Sequence, residues 1–306
     1  MSQEIHGVEI PSSSRIPHKN WTFTGCRDGL ALLISDLWRE ILVWDPLTGH
    51  RHGLNFPGFN TNRGSLKYWH AAVFREGNAK DGRVHGDSFS SPFKLVLLCD
   101  TCTHVSARLY ESVSGSWGDI VSMPTTDTIF FTKPNVLVGN ALYWLFNRGD
   151  ILVFDLRRQR LCVIQKPADA HISNYYYPSV QILRTADSGL GLAYVFQQTI
   201  QLWERRSNCD GVIGWALQKT VPLEGMLPWG IHSGDKSIFF VGYNEDTNTI
   251  VLTTTIGNFM LQLDSMQITH IIKRDILCYD RFHPYTNFYT AGNTRYLHYT
   301  SKPKYK

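Results

Sequence analysis

The chain has 306 residues, of which 43% are hydrophobic, 13% aromatic and 18% charged, with a net charge of +4. That is the make-up of a soluble globular protein long enough to bury a sizeable core. The basic residues are scattered, apart from the tail "KPKYK" at 302–306, so the stripe or patch wanted by a nucleic-acid partner is missing.

The N-terminal "MSQEIHGVEIPSSS" has no basic start followed by an apolar run, and so does not read as a signal peptide. No apolar stretch approaches the ~18 residues of a spanning helix. Neither a membrane nor a nucleic acid is therefore expected as a partner. The sequon Asn20-Trp21-Thr22 has no secretory context and is read as chance. Six dispersed cysteines share no framework spacing, which fits free thiols in a reducing compartment, cytoplasmic or nuclear.

In chain order, residues 1–20 read as a flexible polar segment. The first ambiguous stretch follows, "SDLWREILVWDP" at Ser35 to Pro46. As a helix it would put Leu37, Trp38, Ile41 and Leu42 on one side and resemble the core of an F-box helix. As a strand it would follow "GLALLIS" and leave through "DPLTG". Repetition decides between them. Pentads like "ILVWD" (41–45) recur as "ARLYE" (107–111), "ILVFD" (151–155), "IQLWE" (200–204) and "MLQLD" (260–264). Each follows a second apolar run by about ten residues and ends in an acid: Asp45, Glu111, Asp155, Glu204 or Asp264. An F-box helix would not recur in strand-turn settings, so Ile41 to Trp44 is read as a strand.

After each acid comes a polar turn and another β-like segment, which in four copies runs out at Pro57, Pro124, Pro167 or Pro222. Earlier strands are predicted at "YWHAAVFR", "NVLVG", "SVQILR" and "SIFFVGY". Three or four short strands repeated every 45 to 65 residues or so, with almost no helical periodicity, predict an all-β protein, a β-propeller of about five or six blades. A sixth blade is expected from the C-terminal "PYTNFYTA" strand and N-terminal residues. The five acids are assigned to turns, where an Asp side chain accepts backbone N–H groups two residues on. In "DPLTG", Pro46 pre-sets φ and Gly49 tolerates a positive one.

The segments "RIP…FTGCRDGLALL…EILVWDPLTGHR", "ALYWLFNRGDILVFDLRRQRL", "LGLAYVFQQTIQLWER…GWALQKTVPL" and "PYTNFYTA" resemble, in that order, the F-box-associated β-propeller of plant, especially grass, F-box proteins. The resemblance covers roughly residues 15 to 292, which sets the expected organisation: a polar segment at 1–20, the propeller at 21–292 and a basic tail at 293–306. In that family an F-box precedes the propeller and binds a Skp-type adaptor of a cullin ubiquitin ligase, and the propeller captures the protein to be ubiquitinated. Only about twenty polar residues precede "WTFTGCRDGL", too few for an F-box. The expectation is therefore a protein substrate as partner, with the adaptor bound only if an F-box is supplied upstream. The alternative is a stand-alone scaffold or decoy that binds partners without recruiting a ligase, and behind it a propeller enzyme, which would need convergent acids or histidines at the axis.

Catalytic signals are weak. Cys99-Asp100-Thr101-Cys102 with His104 has no second ligand pair at comparable spacing, so zinc is not expected. Gly-x-Ser-x-Gly, His-Glu-x-x-His and phosphate-loop motifs are missing. No spacing ties any of the 12 histidines to a nucleophile. His50 and His52, two apart, are read as rim residues sharing a strand face. Neither an enzyme nor a cofactor is predicted. The candidate partner-binding residues are aromatics in inter-strand loops: Tyr175, Tyr176 and Tyr177 in "SNYYYP", and Trp229 with His232 in "EGMLPWGIH". The polar insertion from Arg75 to Pro92 is read as a long hairpin loop without a role.

Overall fold

The computed structural model describes residues 21–35, 37, 39–46, 48–59, 66–75, 92–168, 179–196, 198–207, 211–228, 237–271, 281–285 and 295–299. Among them every regular element is a β-strand.

Strands β1 (Thr22–Arg27), β2 (Leu30–Ser35), β3 (Glu40–Trp44) and β4 (Arg51–Asn55) pair in that order as the first antiparallel blade. The second contains β5 (Tyr68–Arg75), β6 (Phe93–Asp100) and β7 (His104–Glu111), with an outer edge divided between β8 (Ser116–Trp117) and β9 (Val121–Pro124), both paired with β7. The third is β10 (Val136–Val138), β11 (Ala141–Leu145), β12 (Ile151–Asp155) and β13 (Arg160–Ile164). The fourth is β14 (Val180–Arg184), β15 (Leu190–Phe196), β16 (Thr199–Ser207) and β17 (Ile213–Pro222), and the fifth is β18 (Ile238–Asn244), β19 (Thr249–Thr254), β20 (Gly257–Gln262) and β21 (Gln267–Ile271). The chain divides into two compact units, one holding the first two blades and the other the remaining three.

Ile41 to Trp44 is a strand. Within β3, Ile41 pairs with Ile34 of β2 and Leu54 of β4; the pentads at 107–111, 151–155 and 200–204 also lie wholly in strands, and the last enters its turn after Gln262. Antiparallel order with short connections follows from turn chemistry. Between β1 and β2, Asp28 and Gly29 both take positive φ, 54° and 75°, which is the Asp-Gly signature of a two-residue hairpin whose twist matches its strands. The segment from Arg75 to Pro92 joins β5 to β6, whose ladder closes with Arg75 opposite Phe93. Residues 76–91 themselves lie outside the described residues.

Period-2 alternation explains why the middle strands are apolar at nearly every position. In β2, Leu30, Leu32 and Ile34 join a core with Ile41 and Val43 of β3 and with Ala71, Val73, Leu95 and Leu97 of the second blade. The intervening Ala31 and Leu33 join Phe23, Leu42 and Trp44 in a separate cluster on the opposite face. Both faces are buried, so both parities are hydrophobic. Outer strands differ: in β4 the alternate residues Arg51, Gly53 and Asn55 are exposed. The unit of the last three blades holds one continuous core, with Ile151 and Val153, Leu192 and Tyr194, and Leu252 and Phe259 all contributing.

The C-terminal expectation changes. Pro284 and Tyr285 of "PYTNFYTA" end strand β22 (Arg281–Tyr285), which forms a two-stranded sheet with β23 (Arg295–Tyr299). The stretch expected to be a basic tail from 293 thus contains a strand. Its backbone finds a partner in the chain just before it. Residues 1–20, expected to help close a sixth blade, lie outside the described residues, as do 286–294.

Truncation of Ile41 tests the strand assignment. Its side chain is fully buried between blades, so Ile41→Ala is expected to cost about 2–5 kcal/mol, measured by urea unfolding. A cost within about 0.5 kcal/mol, typical of an exposed position, would contradict the placement.

Candidate functional site

The five repeat acids occupy equivalent sequence slots but different physical settings. Asp155 follows the expected turn logic: its Oδ1 accepts the N–H groups of Arg157 and Arg158, both at 2.9 Å, and Oδ2 meets the Arg158 guanidinium at 3.3 Å. Those backbone N–H bonds hold its carboxyl below the usual range. Asp45 is fully buried, and its Oδ1 lies 3.4 Å from the Thr48 N–H. The backbone of the same turn closes through Gly49 N–H to Asp45 O at 2.9 Å, with Gly49 at φ 76°.

Glu111 ends β7 and pairs across the ladder with Lys94, Oε1 to Nζ 2.8 Å. Asp264 lies beyond β20 and accepts the Asn248 side-chain amide at 2.6 Å. Asn248 in turn bonds Tyr243, whose hydroxyl also accepts the Arg184 N–H of the neighbouring blade at 3.1 Å. Glu204 departs from expectation. It sits inside β16, opposite Ala216 of β17, and its carboxylate is buried against Arg206. The fourth blade's outer hairpin runs on for three residues beyond Glu204, because polar residues on an outer strand need only one buried face. Within this set only the aspartates of the first and third blades accept turn N–H groups in the expected manner.

Tyr175, Tyr176, Tyr177, Trp229 and His232, the expected partner-binding residues, lie outside the described residues. The Cys99–His104 stretch is a turn organised by Asp100, whose Oδ1 accepts the Cys102 N–H at 2.9 Å. Cys99 is buried in β6, whereas Cys102 is exposed at φ 66°. Among the described residues no group of three or more His, Cys, Asp or Glu side chains converges on a metal position.

Two titratable groups carry more structure than their sequence contexts signal. His52 is not a plain rim residue. It leaves β4 to meet the second blade, with Nε2 3.2 Å from the Tyr110 hydroxyl and its ring edge-on to Phe93 at 5.4 Å. Burial lowers its pKa from 6.5. His50 precedes the strand and lies in the Asp45 turn.

Lys133 stands in the segment between the bridge Ile129–Phe146 and β10. It is nine-tenths buried, its Nζ donates to the Phe240 carbonyl of β18, and it lies 5.7 Å from the centroid of the Phe240 ring. β18 is the first strand of its sheet, so one edge of its backbone has no ladder partner in that sheet. A register shift between Phe240 and Gly242 disturbs the ladder further. The lysine ammonium satisfies the carbonyl, and desolvation draws its pKa from 10.5 to about 7. One residue type recognisable in the sequence thus ties the third blade to the fifth. "TKPN" reads locally as a polar turn, and the carbonyl it reaches is 107 residues away.

With this geometry in hand, the sequence matches the family model "F-box protein AT5G49610-like, beta-propeller" over residues 23–285. The chain belongs to that family. Its fold is thereby a β-propeller, and the five antiparallel blades lie, but for Thr22, within the matched residues. No curated protein matches the sequence. Among solved structures, the chain is similar to the one described as the complex of KlAtg21 with the coiled coil of AgAtg16 (9% identity, 90% of each chain, TM-score 0.48). It is also similar to the N-terminal domain of Nup159 (12% identity, 93% of this chain and 74% of that one, TM-score 0.40). A third is the computationally designed Ika8 protein (12% identity, 81% and 73%, TM-score 0.37). Membership in an F-box-protein propeller family directs attention to protein binding.

Two pH profiles test how these scaffold groups act in the family's fold. The unfolded chain takes up the His52 proton before the folded one does, so stability is full above about pH 6.5 and falls below it. His52→Gln is expected to lose that acid-side decline, read as the change in urea midpoint between about pH 7 and about pH 5. For Lys133 the unfolded chain binds the extra proton between about 7 and 10.5, so its burial penalty lifts as pH rises through that window. Relative to Lys133→Met, the wild type is expected to gain stability by up to about 1.4 kcal/mol per pH unit there. A pH-independent difference would show that the amine stays charged when folded.

Proposed function

We propose that this propeller captures a protein and presents it to a cullin-type ubiquitin ligase, acting by binding and not by catalysis. The observation that carries the reading is the family match over 23–285, which aligns nearly the whole blade array with a domain of F-box proteins. The acids of the repeats support it. All five make the turn, ladder, ion-pair or side-chain amide contacts just described, so the repeat supplies scaffold carboxylates in place of a reacting pair. Protein capture falls to the loops and edges that the repeat leaves variable, including the aromatics Tyr175 to Tyr177, Trp229 and His232, since large aromatic side chains dominate interface energetics. Engagement of a Skp-type adaptor requires an F-box joined upstream of the propeller. The protein works in the cytoplasm or nucleus, where ligase and substrate meet.

Reconstitution tests this. The chain is expected to retain one discrete protein from extract. Joined behind an F-box and assembled with a Skp-type adaptor and cullin, it is expected to direct ubiquitin onto that protein. Replacing Tyr175, Tyr176 and Tyr177 with serine is expected to weaken capture at least about tenfold. Capture without ubiquitin transfer would sink the ligase role and leave a stand-alone scaffold, and absence of capture would sink both.

A further inference from the structure

The outer edge of the fourth blade differs from its counterparts. The outer strands β4, β13 and β21 have five residues each, and the second blade divides its edge between β8, with two, and β9, with four. β17 has ten. A long, open edge displays a row of backbone N–H and C=O groups that template another strand, and proteins usually blunt it with charge, proline, bulges or shortness. β17 carries such devices only in its second half: a register shift opposite Leu202 and Trp203, then Lys219 and Pro222. Its first half, Ile213–Leu217, has no charge, proline or bulge.

That half also projects apolar surface. Ile213 is 57% and Leu217 46% exposed. A Cβ added at Gly214 would meet nothing within 4 Å, so the sheet face at that residue is open. Among the described residues no strand pairs with this side of β17. The strand itself is held firmly, paired along its length with β16 and pinned by the Trp215 indole N–H to the Gln165 carbonyl at 2.7 Å. A rigid edge loses little conformational freedom when it receives a new strand.

The exposed charged side chains of β16 and β17 are cations. Arg205, opposite Trp215 in the ladder, carries its guanidinium over the Trp215 ring at 5.9 Å. Arg206 lies opposite Gly214, and Lys219 is exposed on β17 itself. β17 contains no carboxylate. The acid of β16, Glu204, is buried and already paired with Arg206.

We infer that the β17 edge over Ile213–Leu217 accepts an extended acidic segment of a partner protein as an added strand. Backbone hydrogen bonds to the edge supply affinity, the partner's alternate apolar residues cover Ile213 and Leu217 on the Trp215 face, and its carboxylates, on the other face, meet Arg206 and Lys219. A second copy of this chain fits less well, because edge-to-edge pairing brings the two sets of cations together. The inference rests on the protein-binding reading and names a surface and a partner chemistry for it.

The test uses the whole chain and two short synthetic peptides, one alternating valine with glutamate and the other valine with lysine. Hydrogen exchange is expected to slow at the Ile213–Leu217 amides with the glutamate peptide. The lysine peptide is expected to bind at least about tenfold more weakly, and added salt to weaken the glutamate peptide. Ile213→Glu with Leu217→Glu is expected to abolish the protection. Lys219→Gln, which leaves the apolar edge intact, is expected to reduce the preference for glutamate.

Protection elsewhere or nowhere, equal binding of the two peptides, or a wild-type dimer dispersed by Ile213→Glu with Leu217→Glu would each overturn the inference. If the wild type and the doubly glutamate-substituted chain capture the same protein equally from extract, the edge site falls while the protein-binding reading stands. If the glutamate peptide protects β17 but the chain captures no protein, the edge chemistry stands and that reading falls.

Discussion

A small antiparallel sheet has two faces, and the order of each blade depends on burying both. Leu30, Leu32 and Ile34 look toward the second blade, while Ala31 and Leu33 contribute to a different cluster. Neither set would stay dry in an isolated four-stranded sheet. Burial of the middle strands on both faces therefore requires neighbours, and the same sentence of sequence is repeated because each blade faces the same requirement. The outer strands escape it, and their composition loosens accordingly: Arg51, Gly53 and Asn55 of β4, and Lys219 and Thr220 of β17, stand in solvent.

This gradient from middle to outer strand explains what could be read in the sequence. "LALLIS" and "ILVW" identify themselves because burial permits only apolar residues at both parities. The Asp-Gly turn at 28–29 and Gly49 identify themselves because their backbone angles restrict the side chain. Glu204 misleads for the same physical reason. Beyond it, "RRS" is polar in the manner of a turn, but an outer hairpin tolerates that polarity within a strand, and β16 continues to Ser207. The stretch expected as a basic tail likewise holds a strand, "RYLHY", which pairs as β23. Lys133 and His52 were not legible as anchors, because each is defined by a group from another blade, the Phe240 carbonyl and the Tyr110 hydroxyl. Of the candidate site, the scaffold acids could be located by period alone. The aromatic stretches at 175–177 and 229–232 could be nominated only by composition.

The acids show how a repeat preserves position while changing interaction. Asp155 binds turn amides, Glu111 binds a lysine across the ladder, and Asp264 reaches Tyr243 through Asn248 and so connects with the neighbouring blade's Arg184. A carboxylate after an apolar pentad is favoured in each case because it has several acceptor sites and stands where the chain leaves the sheet. The slot is thus a place for an acceptor, and local donors determine which bond it makes. Such a position can vary among blades without disturbing the core that the pentads build.

Edges remain the unsolved part of any architecture made from open sheets. At its first-strand edge the fifth blade has a carbonyl met by a buried lysine, whose lowered pKa reflects the desolvation that this contact imposes. At the outer edges the chain relies on shortness and polarity, and β9 closes on Pro124. These devices prevent adventitious pairing but also prevent recognition through the backbone, since an edge cannot both refuse and accept an added strand. A protein that works by holding other proteins benefits from leaving one edge less guarded than the rest. It can do so safely only if the strand is rigid, so that it does not unravel, and if surrounding charge of one sign disfavours its own copies. β17, clamped by β16 and by Trp215 and flanked by Arg206 and Lys219, meets both conditions, and the cations that disfavour its own copies would define the charge of what it binds.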